Sequence, residues 1–206
     1  MAAPPDPLSL RAEQVRHTRA ALITAGRRLF GERGFAATSV EDLATEARVT
    51  TGALYHHFRN KTALFETVLE QVHAELQAAS ARAAEGTADD LEILARGFEA
   101  FLDAVLQPEV QQILIIDAPA VLGLARSTEL DERYALTRIV SALRAATAAG
   151  TVSADDPATV TRMLLGALVR GGMLIARSAS PGETRDAVAR AIRAMLAGVT
   201  RVPPRQ

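Results

Sequence analysis

The chain is 206 residues long, 49% hydrophobic but only 4% aromatic, with 23 basic and 24 acidic side chains, a formal net charge of −1 and no cysteine. That length suits a small domain followed by a larger one, and an aromatic-poor apolar content favours close helix packing over a sandwich of strands. Disulfides, thiolate chemistry and cysteine zinc sites are excluded, a stacking platform for single-stranded nucleic acid is unsupported, and the balanced charge means that a DNA partner would need basic groups gathered on one face.

The opening stretch, MAAPPDPLSLRAEQVRHTR, contains Pro4, Pro5 and Pro7 and no apolar signal core, so residues 1–9 are expected to form a disordered leader and not a secretory signal. Ser9 is placed to cap a helix running to about Glu32, with Val15, Leu22, Ala25, Leu29 and Phe30 near one face. Gly34 suits the C-cap, and Phe35 can fold back onto the last turn. Ser39 and Asp42 then form a capping-box pair ahead of Val40, Leu43, Ala44 and Ala47. Arg48 and Val49 interrupt that short helix. Thr50 caps a second one carrying Ala53, Leu54 and Phe58, and Asn60 caps a long helix from Lys61 to about Ala84. Leu64, Phe65, Val68, Leu69, Val72 and Leu76 form the apolar side of the long helix.

Beyond the break at EGTADD, a helix is expected over about 91–106. Pro108 opens the segment QQILIID, which Pro119 is expected to end or kink. Further helices are expected over about 129–149, 157–178 and 183–198, the last with Val188, Ile192, Met195, Leu196 and Val199 at helical spacing. GTVSADDPA and SPGE separate them, and RVPPRQ is expected to fray. Arg144 and Arg170 interrupt the two most apolar stretches, so neither is expected to reach the length of a membrane span, and a cytoplasmic location follows as the default. No segment alternates as a strand. The expected fold is all-α with about nine helices: a three-helix head over residues 10–60 and a helical body over 61–200.

The sharpest constellation is the pair of short helices within residues 39–58. A helix as short as Thr51–Phe58 is not stable alone and must be held by neighbours. Such an arrangement puts one short helix at the surface, where a helix-turn-helix protein inserts its second helix into the major groove. Thr50 and Thr51 offer hydroxyls and methyls, Ala53 a methyl for thymine, and Gly52 a close approach. Tyr55, His56 and Lys61 can donate to phosphates, as can the free N–H groups expected near Thr38, Thr50 and Lys61. The same spacing also fits an ordinary helical hairpin with polar surface groups. His56 and His57 are adjacent and are not expected to share a face.

The stretch from Thr18 to Glu70, and above all AGRRLFGERGF, TSVEDLA and TTGALYHHFRNK, resembles the N-terminal domain of the TetR family of regulators. The remainder resembles the family only in size, helix count and its C-terminal helix pair. The resemblance implies a homodimer that binds a palindromic operator in double-stranded DNA, represses it, and is released by a small-molecule effector. It implies groove-facing roles for Thr50, Thr51, Ala53 and His56, phosphate contacts from Thr38, Tyr55 and Lys61, and core roles for Leu54 and Phe58. Two positions depart from the family's habit. Arg48 stands where Gly is common, at a cost of roughly 1 kcal/mol for a left-handed residue that a phosphate contact would offset. Thr51 stands where Lys is common, and Arg11, Arg16 and Arg19 are placed to compensate along the DNA backbone.

In the body, Asp117 lies in the oily run ILIIDAPAVLG, either to orient a ligand or to cap the turn before Pro119 or pair with Arg96 or Arg126. Phe98, Phe101, Leu102, Ile113, Leu122, Tyr134 and Met163 are candidate pocket walls and equally candidate core. Gly166, Ala167, Gly171 and Gly172 allow a close helix approach, which with Val188, Ile192 and Met195 suggests a four-helix dimer interface or else packing within one chain. No HExxH, GxSxG or phosphate-binding loop is present, so neither an enzyme nor a metal or organic cofactor is expected. The alternative to a regulator is a helical ligand-binding or interaction module that has lost sequence-specific DNA binding.

Overall fold

A computed structural model describes residues 7–148, 150 and 156–200, and among them there is no strand. Residues 1–6, 151–155 and 201–206, which include most of the expected leader, the centre of a loop and the tail, lie outside the described residues, as do the side chains of Arg11 and Val199.

Helix α1 (Pro7–Arg33) begins two residues before the expected cap Ser9, so the end of the expected leader is helical. Leu22, Ala25, Leu29 and Phe30 are buried as the periodicity requires, but Val15 is 41% exposed. The first half of α1 runs beyond the elements that cover its second half. Helix α2 (Val40–Glu46) starts at the capping box: the Asp42 N–H donates to Ser39 Oγ, and the Ser39 N–H donates to Asp42 Oδ2, both at 3.0 Å. Helix α3 (Thr51–His57) follows its Thr50 cap, and α4 (Lys61–Ala83) follows Asn60, whose Oδ1 accepts from the Ala63 N–H at 2.8 Å. Leu22, Leu43, Leu54, Leu64 and Phe65 are fully buried where α1–α4 meet, and Phe35 and Phe30 close on Phe65 with ring centroids 5.3 and 5.4 Å apart.

The body comprises α5 (Asp90–Val105), α6 (Pro108–Val110), a π-helical segment (Gln111–Asp117), α7 (Ala118–Leu122), α8 (Leu124–Ala148), α9 (Pro157–Ala176) and α10 (Pro181–Thr200). Pro119 does not end its helix. It lies in α7, which follows the π-helical segment directly, and the helical run continues through α7 and stops instead at Gly123, with φ at 79°. Helix α8 therefore starts at Leu124 and not near Glu129.

Helix α9 also departs from expectation. Arg170 does not interrupt it, and its 20 residues are long and apolar enough to cross a membrane by length and composition. In this fold Leu164, Leu168 and Ile175 bury against the rest of the body. Its glycines have an explanation within the chain: a Cβ on Gly171 would lie 2.5 Å from Val188 Cγ1, and one on Gly172 would lie 2.9 Å from Ile115 Cδ1. Gly171, Val188 and the 4%-exposed Ile192 thus pack α9 on α10 inside one chain, which corrects their expected place in a dimer interface. Gly166 and Met195 remain outward, with Met195 50% exposed, and Ala167 is half-buried.

Candidate nucleic-acid interface and internal cavity

The head presents α3 by its packing. Leu54 and Phe58 anchor one side in the core, so Thr51, Gly52, Tyr55 and His56 form a contiguous exposed arc. Thr50 Oγ1 accepts from the Ala53 N–H at 3.1 Å, which satisfies a free donor at the helix start while the residue stays exposed. Ala53 is half-buried, at the edge of the arc. Arg48 has φ of 56°, the one positive value outside glycine among the described residues, and its exposed side chain stands beside the turn between α2 and α3. Arg16, Arg48 and Arg59 are exposed and form no ion pair among the described residues, while Arg19 lies 5.1 Å over the Phe58 ring. Glu46, a nearby acid, is bound by Arg28 Nε at 2.8 Å, which holds its carboxyl below the usual range. The His56 and His57 rings, expected to diverge, meet edge to face with centroids 5.4 Å apart. Partial burial, then His56 and Arg19, push the His57 pKa down.

Two expected phosphate ligands are turned inward. Thr38 is 1% exposed, and its hydroxyl donates to the Gly34 carbonyl at 2.8 Å. Its N–H, expected to be free, donates to the Phe35 carbonyl at 3.3 Å. Lys61 Nζ donates to the carbonyls of Thr38 and Phe35 at 2.7 and 2.9 Å and lies 4.1 Å from the Phe35 ring centre. Both residues fix the loop between α1 and α2, because α1 ends in a turn whose carbonyls need donors.

That loop is also where the body grips the head. The Phe35 N–H donates to Asp117 Oδ2 at 2.7 Å, and Asp117 is 8% exposed. Asp117 therefore neither faces a ligand nor pairs with Arg96, which binds Glu92, or with Arg126, which binds Glu66 and Glu129. Gly34, with φ of 79°, passes so close to the π-helical segment that a Cβ would stand 2.9 Å from Gln112 Nε2. Nearby, Arg27 binds both Glu75 of α4 and Glu109 of α6, which raises its pKa. No local pattern marks this junction, since its partners are 82 residues apart.

A partly open cavity of about 140 Å³ lies between α4, α5, α8 and α9. Of the candidate pocket walls, Phe98, Phe101 and Tyr134 line it. Leu102 and Ile113 are fully buried core, Leu122, the last residue of α7, is partly buried against that core, and Met163 is 71% exposed on the outer face of α9, so none of these belongs to the wall. The polar lining residues that the sequence did not point to are His73, Gln77 and Ser80 of α4 and Asp131 of α8, of which His73 and Asp131 are titratable. His73 is stacked on Tyr134 with ring centroids 5.1 Å apart, and its Nε2 is buried without a hydrogen-bond partner, 3.5 Å from Asp131 Oδ1. Burial pushes His73 down to about 4 and Asp131 up to about 6, so their contact at neutral pH joins a neutral imidazole to a carboxylate and is not an ion pair. The signal was available: His73 sits at i+4 from Leu69 and i−3 from Leu76, on the apolar stripe of α4.

A short capped helix held outward on a packed three-helix core is the working part of a helix-turn-helix DNA-binding protein, here joined to a helical body with a partly open cavity. Residues 22–68 match the family described as bacterial regulatory proteins, tetR family, and residues 91–199 match the tetracyclin repressor-like C-terminal domain. The chain is 43% identical over 82 residues to the probable HTH-type transcriptional regulator ArpR of Pseudomonas putida, covering 40% of this chain and 38% of that protein. It is 33% identical over 106 residues to the HTH-type transcriptional repressor KstR2 of Mycobacterium tuberculosis, covering 52% and 53%. The chain thus matches about half, or less, of the length of these curated relatives. A TetR-family transcriptional regulator of Pectobacterium atrosepticum, solved as a crystal structure, superposes with a TM-score of 0.79 at 31% identity over 93% of this chain and 98% of that one. The chain belongs to the TetR family of transcriptional regulators. Members of this family are transcriptional regulators that bind DNA, typically as dimers with small-molecule ligands.

Proposed function

We propose that this protein is a cytoplasmic repressor whose homodimer reads a palindromic operator through α3 and leaves it when a small molecule fills the cavity between α4, α5, α8 and α9. The observation that carries this reading is the exposed arc of α3, anchored by buried Leu54 and Phe58 beneath it. Residues 10–60 serve as the DNA head and 61–200 as the effector and dimerisation body. Thr50, Thr51, Ala53 and His56 read bases. Arg48 and Tyr55 contact phosphates, with Arg16, Arg19 and Arg59 adding positive charge. A palindrome requires a two-fold reader. The outward residues Met163, Gly166 and Leu174 of α9 and Met195 of α10 supply an apolar face for the second copy.

Release needs a ligand that favours a head separation which misses successive major grooves. The cavity wall at Phe101 adjoins Gly172 and Ile115, Ile115 belongs to the π-helical segment, and that segment ends in Asp117 bound to Phe35 of the head. A change in the wall thus reaches the head through contiguous packing. The test is selection of bound duplexes from a random library by the purified protein at two salt concentrations. A two-fold symmetric motif is the expected product. A folded dimer that enriches no motif at low salt overturns the operator reading and leaves a ligand-binding or interaction module.

A further inference from the structure

The cavity also carries information about what fills it. Its volume of about 140 Å³ is close to the roughly 150 Å³ of an apolar protein cavity that holds one benzene molecule. Leu94, Phe98, Phe101, Leu165 and Leu168 give it apolar walls, and among the described residues no lysine or arginine lines it. Two of its polar groups are already engaged: Ser80 Oγ donates to the Gly97 carbonyl and Gln77 Nε2 to the Tyr134 carbonyl, both at 3.1 Å. His73 is different. Its side chain is 8% exposed and its Nε2 has no partner, a costly state for a buried polar atom.

The Nε2 lies 3.5 Å from Asp131 Oδ1, a separation and alignment that make no hydrogen bond. A single oxygen about 2.8 Å from each atom closes that gap. A hydroxyl suits the position because it donates one hydrogen bond and accepts another. Donation to Asp131 Oδ1 and acceptance from an Nε2–H satisfies both atoms. Asp131 must turn aside to admit it, and its side chain, 23% exposed, has the room.

We propose that the cavity takes an uncharged, single-ring hydroxyarene, with its ring among Phe98, Phe101 and Leu168 and its hydroxyl bridging His73 Nε2 and Asp131 Oδ1. This rests on the reading of the cavity as the effector site. Carboxylate ligands are disfavoured, because Asp131 repels them and no lysine or arginine among the described residues lines the wall to offset that repulsion. At neutral pH the environment supports this polarity, since burial keeps His73 uncharged.

The experiment is calorimetric titration of the full chain, without DNA, with phenol, benzene and benzoate. Phenol should bind about tenfold more tightly than benzene, as one well-made hydrogen bond allows, and benzoate should bind more weakly than either. In Asp131→Leu, the preference for phenol over benzene should fall to near unity, while retained benzene binding shows that the cavity has formed. Asp131→Asn, which keeps an acceptor, should retain part of the preference. Equal binding of phenol and benzene by the unaltered protein overturns the inference, as does tighter binding of benzoate or no binding of any probe. Phenol that binds with this selectivity yet does not release a selected operator upholds the inference on the cavity and refutes its effector role.

Discussion

Replacing Asp117 with alanine removes the acceptor that fastens the body to the head. The lost bond joins the Phe35 N–H to a carboxylate oxygen at 2.7 Å, and Asp117 is 8% exposed, so water replaces it poorly. A hydrogen bond to a charged group contributes about 1.5–3 kcal/mol. Because Phe35 is half-buried and its N–H recovers some hydration, a loss of about 2 kcal/mol is the reasonable expectation. For a chain of this size, that lowers the melting temperature by about 4–8 °C. Asp117→Asn keeps an amide oxygen in the same place and exchanges a charged acceptor for a neutral one, so roughly half the loss is expected. Thermal unfolding of both variants beside the parent measures the effect. The same variants should bind a selected operator more weakly, because the bond also sets the pose of the head. An Asp117→Ala protein that melts within about 1 °C of the parent and binds DNA unchanged would refute the claim that this bond holds the two parts together.

Three further outcomes are expected. Gly171→Ala forces a methyl to within 2.5 Å of Val188 Cγ1 and should destabilise the fold by about 1–3 kcal/mol in urea unfolding; adding Val188→Ala should recover part of that loss. Thr51→Lys, at an exposed position on α3, should tighten DNA binding at low salt and steepen the slope of log affinity against log salt by about 1.8, since each of the two protomers adds one phosphate contact, read by fluorescence anisotropy. His73→Phe should change the acid response. As pH falls below about 6.5 the unfolded chain protonates at His73, while the folded chain resists until about 4, so this group's contribution is full above that window and is lost through it. Asp131, raised to about 6, acts oppositely and takes its proton first in the folded state. Of the groups packed on His73, Asp131 and Tyr134 of α8 are titratable, while α5 and α9 present Leu94, Phe98 and Leu168. Urea unfolding from pH 7 to pH 4 should therefore move the stability difference toward the variant by about 3 kcal/mol, and a constant difference would count against a neutral buried His73.

Local chemistry made the head legible. Ser39, Thr50 and Asn60 cap three helices through bonds that span only three residues, so the spacing alone located α2, α3 and the start of α4. Leu43, Leu54 and Phe58 were marked as core by the same periodicity. Features made by distant partners were hidden. The inward roles of Thr38 and Lys61 depend on carbonyls in the turn after α1, and the role of Asp117 depends on Phe35, far away in sequence. The glycines of α9 signalled close packing correctly, but a sequence does not say whether the approaching helix belongs to the same chain; at Gly171 it is α10 of the same chain. Of the candidate walls Phe98, Phe101 and Tyr134 line the cavity, while Leu102, Ile113, Leu122 and Met163 do not, because apolar character alone does not separate cavity wall from core; His73 and Asp131 lie on different helices among apolar neighbours, so no local spacing joins them. Pro119, expected to end or kink the helix, does not end it: the π-helical segment before it carries the chain into α7, a change of helical pitch that local spacing does not reveal.

The most direct test of α3 as the reading element is to select operators with the parent and with a Thr51→Ala, His56→Ala double variant, in parallel and from the same random library. Both residues are exposed, so the variant should fold and dimerise as the parent does. The expected result is a two-fold symmetric motif for the parent and a motif relaxed or altered at symmetry-related positions for the variant. An identical motif, bound with undiminished affinity by both proteins, would mean that α3 does not read the bases.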